Sequence, residues 1–131
     1  MKIVLDTNAY SALQRGEAAG LKTAVEAADQ IMLPFVVVAE LKAGFEKGNQ
    51  TAANQQKLYM FLGMDAVSVM WPDDDTLQLY AKLWAELSGK GKPIPTNDVW
   101  IAALCLQNSL PLATADSDFD HIPLLERVAV I

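Results

Sequence analysis

Lys2-Ile-Val-Leu-Asp6-Thr7-Asn8-Ala9 governs how the rest of the chain is read. Ile3, Val4 and Leu5 make a short apolar run with two β-branched residues, which favours a strand. The run stops at an acid. Asp6, Thr7 and Asn8 are residue types whose side chains cap the start of a helix. A strand that hands over directly to a helix is how a parallel sheet begins, because parallel neighbours need a crossover between them.

Outward from this stretch the same alternation recurs. Ala9 to Arg15 and Ala18 to Ala28 read as helices broken near Gly16, and Ile31 to Leu33 as a second strand. Phe35 to Phe45 carries two signals. Val36-Val37-Val38 favours a strand and Ala39-Glu40-Leu41-Lys42-Ala43 a helix. With Pro34 suited to a first helical position, the segment is expected to be helical from near Phe35 to about Gly48. Ala52 to Leu62 is a further helix with Leu58, Phe61 and Leu62 on one stripe. Val67 to Met70 is a third strand closed by Pro72. Asp73-Asp74-Asp75 then opens a helix to about Ser88, its acids where the helix dipole favours them. After the basic loop Gly89 to Pro93, Thr96 is expected to cap a helix over Asn97 to Asn108. Leu110 to Ala113 and Val128 to Ile131 complete the strands. There is no repeat, low-complexity tract or linker, so one domain over residues 1–131 is expected. The fold class is α/β, three layers α/β/α, with a central parallel sheet of four to five short strands. Ligands of such sheets bind beyond the carboxyl ends of the strands.

Composition narrows the chemistry. Hydrophobic residues make up 52% of the 131, enough for a core without covalent staples. A single cysteine, Cys105, excludes an internal disulfide, and with one histidine there are too few ligands for a Cys/His zinc site. Cys105 lies in the apolar run Trp100 to Leu106 and reads as a small buried hydrophobe. The N-terminus meets a carboxylate after three apolar residues, unlike a signal peptide, and no run approaches the ~20 residues that span a bilayer. A soluble protein of a reducing cytoplasm is expected. The net charge of −6 argues against coating nucleic acid by general attraction. It does not argue against cutting nucleic acid, since divalent cations reverse the local sign at a carboxylate site. The lone His121 excludes a two-histidine acid–base ribonuclease and reads as a surface residue.

Four acids stand out by position. Asp6 ends the first strand, Asp116 follows the fourth, Asp98 lies in a first helical turn, and Glu40 interrupts an apolar stretch. Each has a structural explanation: Asp6 as a helix cap, Asp98 as a dipole-stabilising acid, Asp116 as a turn residue, Glu40 as a helix-edge charge beside Lys42. Taken together they suggest more. Clustered carboxylates repel one another, and a fold that assembles them usually does so for a cation. Oxygen-only ligands suit Mg²⁺ or Mn²⁺ rather than zinc.

At these residues the sequence resembles the PIN-domain family, and within it the toxin ribonucleases of the VapC type. The matching stretches are Val4-Leu-Asp6-Thr7-Asn8, Ala39-Glu40-Leu41, Asn97-Asp98-Val-Trp-Ile-Ala-Ala103 and Leu112-Ala-Thr114-Ala-Asp116-Ser-Asp118-Phe119, in order over essentially the whole chain. The resemblance implies a metal-dependent endoribonuclease, the toxin of a toxin–antitoxin pair. Asp6, Glu40, Asp98 and Asp116 would be its catalytic acids, Asp6, Asp98 and Asp116 its Mg²⁺ or Mn²⁺ ligands, and Thr7, Asn8 and Thr114 its supporting residues. It also implies a homodimer and a cognate antitoxin protein seated near the acids, with Tyr59, Met60, Phe61, Met64, Trp71 and Trp84 as candidate apolar contact surface. Many relatives have a glycine where Pro123-Leu124-Leu125 stands, a departure that touches a turn rather than the chemistry. Arg15 and Lys42 are the foremost candidates for RNA phosphate contacts, with Lys47, Lys90 and Lys92 behind them. Asp118 and Asp120 read as solvated turn acids.

Three other readings stay in view. A catalytically inactive PIN-like module could bind RNA or protein, although it would be free to lose its acids. A signalling receiver domain would want adjacent acids after the first strand, where Asp6 stands alone. A haloacid-type phosphatase would want an acid at position 8, which is Asn8.

Overall fold

The computed structural model describes residues 1–131. Its strands are β1 (Lys2–Leu5), β2 (Gln30–Pro34), β3 (Val67–Met70), β4 (Leu112–Ala113) and β5 (Arg127–Val128). They form one parallel sheet in the order β3-β2-β1-β4-β5. Its helices are α1 (Thr7–Arg15), α2 (Ala19–Ala27), α3 (Phe35–Lys47), α4 (Thr51–Leu62), α5 (Asp74–Gly89) and α6 (Thr96–Asn108), and Ser117–His121 makes a 3₁₀ turn.

The layers follow from handedness. Crossovers in a parallel sheet are right-handed. The chain steps outward from β1 to β2 to β3, then reverses direction to β4 and β5. Helices α1 to α4 therefore cover one face and α5 and α6 the other. This is the expected α/β/α arrangement, and it explains why β1 is apolar after its first residue, Lys2. Ile3, Val4 and Leu5 are all fully buried, since a central strand covered on both faces has no solvent side.

Local chemistry sets the element ends. Asp6 is the N-cap of α1, and its carboxylate accepts a hydrogen bond from the Ala9 N–H at 2.8 Å. Gly16 closes α1 in the left-handed region at φ 71°, where a side chain would cost energy. In α3 the valine run is helical. Val36, Val37 and Leu41 are buried against the rest of the core, and that packing outweighs a β-propensity worth at most about 1 kcal/mol. Asp73 and Thr76 form a reciprocal capping box at the start of α5, and Thr76, fully buried, also bonds Gln107 of α6. That link ties the two helices of one layer together.

Three expectations need correction. Thr96 does not cap α6. It is the first helical residue, after Pro95, and makes no side-chain cap bond. The fourth strand is two residues, Leu112–Ala113, because the Leu110 N–H turns back to the Cys105 carbonyl and Pro111 has no N–H to give. The fifth strand is Arg127–Val128 rather than Val128 to Ile131, since β4 offers it only two partners. Beyond it, the Ile131 carbonyl accepts from the Leu21 N–H of α2 at 3.0 Å.

The core is a single cluster of 30 buried residues. Cys105 is part of it, fully buried as expected, and its thiol is pushed up to about 12, first by burial and then by the Asp6 charge. A colorimetric thiol reagent is therefore expected to leave the folded protein untouched and to react fully in denaturant. A prompt reaction without denaturant would show that α6 detaches from the sheet. His121 is exposed, as expected. No helix is long and apolar enough to cross a membrane.

Candidate active site

The strand order reverses between β1 and β4, and such a switch point leaves a crevice beyond the carboxyl ends of the two strands. The sequence puts acids on both sides of it. Leu5 and Ala113 are register partners, so Asp6 and Thr114 leave the sheet side by side. The Asp6 N–H donates to the Ala113 carbonyl at 3.3 Å, which extends the ladder to the acid itself. Asp98 comes to the same edge in the first turn of α6, and Glu40 in the second turn of α3.

Only three polar or charged residues are buried in the whole chain, Asp6, Thr76 and Thr114. Two of the three belong to this crevice. Burial of a carboxylate is costly unless it is satisfied, so the neighbours of Asp6 matter. Its carboxylate takes the Ala9 N–H and a hydrogen bond from Thr114. The Thr114 hydroxyl oxygen in turn accepts from the Asp116 N–H at 3.0 Å. The Asp116 carboxylate accepts from the Asp118 N–H at 2.9 Å, and thereby caps the 3₁₀ turn. Glu40 is held from two sides. The Thr7 hydroxyl donates to its Oε2, and the Asn97 amide to its Oε1, each at 3.2 Å.

Asp98, Asp116 and Asp118 are all half-buried, and each offers a carboxylate oxygen within 4.8 Å of the others'. Charge so concentrated must show in the titration. Asp98 is pushed up to about 7, mainly by burial, then by the charges of Asp116, Asp118 and Glu40. Asp6 is also raised, by burial first. The hydrogen bonds from Thr114 and Ala9 oppose that rise, while the charges of Asp116 and Glu40 add to it. Five carboxylates thus act on one another across a single crevice. The donor set is all hard oxygen, with no sulfur or imidazole, and its mutual repulsion is the kind a divalent cation relieves. By that chemistry the residues fit Mg²⁺ or Mn²⁺.

All four acids singled out in the sequence reach the crevice, and so do Thr7 and Thr114; Asn8, next along α1, is exposed. The tight group of three, however, contains Asp118 in place of Asp6. A solvated turn acid is not what Asp118 is: the 3₁₀ turn brings it back over Asp98. A helical turn after Asp116 was the one sequence signal that could have found it. Asp120, on the same turn, is exposed and pairs with Arg127. Asn97 was also missed. The expected phosphate contacts are already engaged, Arg15 with Glu17 at 2.9 Å, and Lys42 with the Tyr59 hydroxyl at 3.3 Å and over its ring. Of the expected apolar contact residues, Tyr59, Met60, Met64, Trp71 and Trp84 are exposed. Phe61 is half-buried against Tyr10.

Comparison with known proteins agrees with this geometry. Residues 3–125 match the PIN domain family. The chain is similar to ribonuclease VapC5 of Mycobacterium tuberculosis, 31% identical over 128 residues, covering 98% of this chain and 93% of that protein. Among solved structures, it is similar to the Rickettsia felis VapBC2 complex bound to a promoter DNA fragment. The TM-score is 0.87 at 26% identity, with 98% of each chain covered. The VapBC-1 complex of nontypeable Haemophilus influenzae also aligns with a TM-score of 0.87, at 25% identity over 98% of each chain.

Proposed function

This chain belongs to the PIN-domain family, and from that premise we propose that it is a Mg²⁺- or Mn²⁺-dependent endoribonuclease, the toxin of a toxin–antitoxin pair. The observation that carries the reading is the convergence of Asp6, Glu40, Asp98, Asp116 and Asp118 on one crevice at the strand-order reversal. An inactive binding module would have no use for so many repelling carboxylates, whose assembly costs stability.

In this reading Asp98, Asp116 and Asp118 hold the cation, with Asp6 behind them. When bound, the ion supplies Lewis-acid chemistry: it makes a water more acidic and offsets charge building on the phosphate. Asp6 cannot swing away, because Ala9 and Thr114 fix its carboxylate. Thr114 also sets the start of the turn that carries Asp116 and Asp118. Glu40 stands outside the tight group, oriented by Thr7 and Asn97. Each of its oxygens keeps a lone pair beyond the bond it accepts, so Oε1 or Oε2 can receive the proton of the attacking water. No side-chain nucleophile is needed. The similar structures, solved as VapBC complexes, support a cognate antitoxin protein as partner, and the proposed assembly is a homodimer.

Cleavage of a mixed RNA panel tests the reading. Cutting is expected with Mg²⁺ or Mn²⁺, none with EDTA, and a loss on the order of a thousand-fold in Asp6→Asn, the scale of removing one preorganised electrostatic group. An Asp6→Asn protein that cuts like the unmodified chain would remove Asp6 from the mechanism.

A further inference from the structure

The aromatic residues next to the crevice are not all core. Trp71 immediately follows β3, and Phe35 immediately follows β2, so both leave the sheet at the carboxyl edge where Asp6 leaves β1. With strands about 4.8 Å apart, the end of β3 lies roughly 10 Å across the sheet from the end of β1. Trp71 is 72% exposed. Its ring is stacked on Phe35 at 5.9 Å and 24°. Phe35 meets the Trp100 ring edge-on at 5.7 Å, and Trp100 is stacked on Tyr80 at 4.2 Å. Four rings thus form a continuous tier whose lower members are half-buried and whose outermost member is open to solvent.

The tier and the acids share their supports. Phe35 is the first residue of the helix that carries Glu40, and Trp100 lies two residues beyond Asp98 on α6. Trp71 therefore rests directly on the helix that carries Glu40 and, through Phe35, meets the helix that carries Asp98.

We propose that Trp71 is a stacking platform for one base of the single-stranded RNA cut at the acid cluster. The inference rests on the nuclease reading above and names how its substrate is held. Charge alone does not supply that hold. The chain carries a net −6, and of the two foremost candidates for phosphate contacts Arg15 is paired with Glu17, while Lys42 is bonded to the neutral Tyr59 hydroxyl and keeps its charge. A flat, braced, exposed indole needs no cation. Every base has a π-face, so stacking is tolerant of sequence, and single-stranded RNA is the form that presents unstacked bases. A base on Trp71 would leave the backbone free to run along the carboxyl edge past β2 toward the crevice.

The test measures binding of short, fluorescein-labelled single-stranded RNAs of mixed sequence, in an Asp98→Asn background so that nothing is cut. Trp71→Ala is expected to weaken binding roughly ten-fold or more, whereas Trp71→Phe, which keeps a ring, retains most of the affinity. An abasic site at the stacked position should erase the difference made by Trp71→Ala. Since the side chain is exposed, melting temperatures should not differ, which separates binding from folding. Equal affinity with and without Trp71→Ala, with Asp98-dependent cleavage intact, overturns the platform and leaves the nuclease reading standing. A change of solution mass in Trp71→Ala assigns the ring to a second copy of the chain and overturns the platform as well. Cleavage that survives Asp98→Asn sinks the nuclease reading itself, whatever Trp71 does.

Discussion

Asp98→Asn is expected to abolish RNA cleavage and, in the same protein freed of metal, to raise the melting temperature at pH 8. Both effects come from one carboxylate placed where it is uncomfortable. Asp98 titrates near 7 in the folded chain against 3.8 as its ordinary value. Between those limits the folded protein holds a proton that the unfolded chain has released. Stability from this group is therefore complete below about pH 4 and falls as pH rises through 7. A tenfold change in proton affinity corresponds to about 1.4 kcal/mol, but the side chain is only half-buried, and solvent screening reduces the total loss to about 1–2 kcal/mol. Asparagine has no charge to lose, so the variant keeps that stability at pH 8 and melts several degrees higher. The same substitution removes a proposed cation ligand. Mn²⁺ should raise the melting temperature of the unmodified chain in a saturable way, and the variant's much less. Calorimetry across pH and metal reads both. A lower melting temperature for metal-free Asp98→Asn would make Asp98 a helix-start acid and remove the case for a cation site.

Phe119→Ala is expected to be the most damaging single change outside the acids. Phe119 is 1% exposed and is among the largest fully buried side chains. It sits in the middle of the 3₁₀ turn, directly after Asp118, and the turn packs on α6. Deleting the ring removes its transfer energy and leaves a cavity, a loss of about 3–5 kcal/mol. That is a large part of the net stability of a domain this size. The ring also anchors the turn on which Asp116 and Asp118 ride, so cleavage should fall even where the variant remains folded. Urea denaturation gives the first number and cleavage at low temperature the second. Phe119→Leu, which fills much of the space, should recover most of both. A loss under about 1 kcal/mol for the alanine variant would mean that the turn is held by something other than its buried ring.

Much of the fold is legible in the order of the residues, for identifiable reasons. β1 can be read because Ile3, Val4 and Leu5 of this central strand are consecutive apolar residues, and the start of α5 because Asp73 and Thr76 form a local capping box. The valine run of α3 is legible only through the residues that follow it. The errors fall at the ends of elements. The length of β4 depends on Pro111 and on the Leu110 N–H turning back to Cys105, and the length of β5 depends on β4. Thr96 looks like a cap because threonine is a good one, but the chain enters α6 one residue earlier, at Pro95.

Local chemistry along the chain was enough for the alternation of strand and helix, the parallel sheet, and the placing of Asp6, Glu40, Asp98 and Asp116 at element ends or on a buried edge. Periodicity, capping and β-branching act over a few residues, and those are visible in a string of letters. Which oxygens converge was settled by packing in three dimensions. Asp118 enters the tight group because the turn after Asp116 folds over the first turn of α6, and Asn97 meets Glu40 across a separation of 57 residues. Packing also settled which aromatic ring is left bare, since Trp71 and Trp100 differ in exposure without any local signal that tells them apart. Burial and charge coupling depend on distance in space, and distance along the chain does not report it.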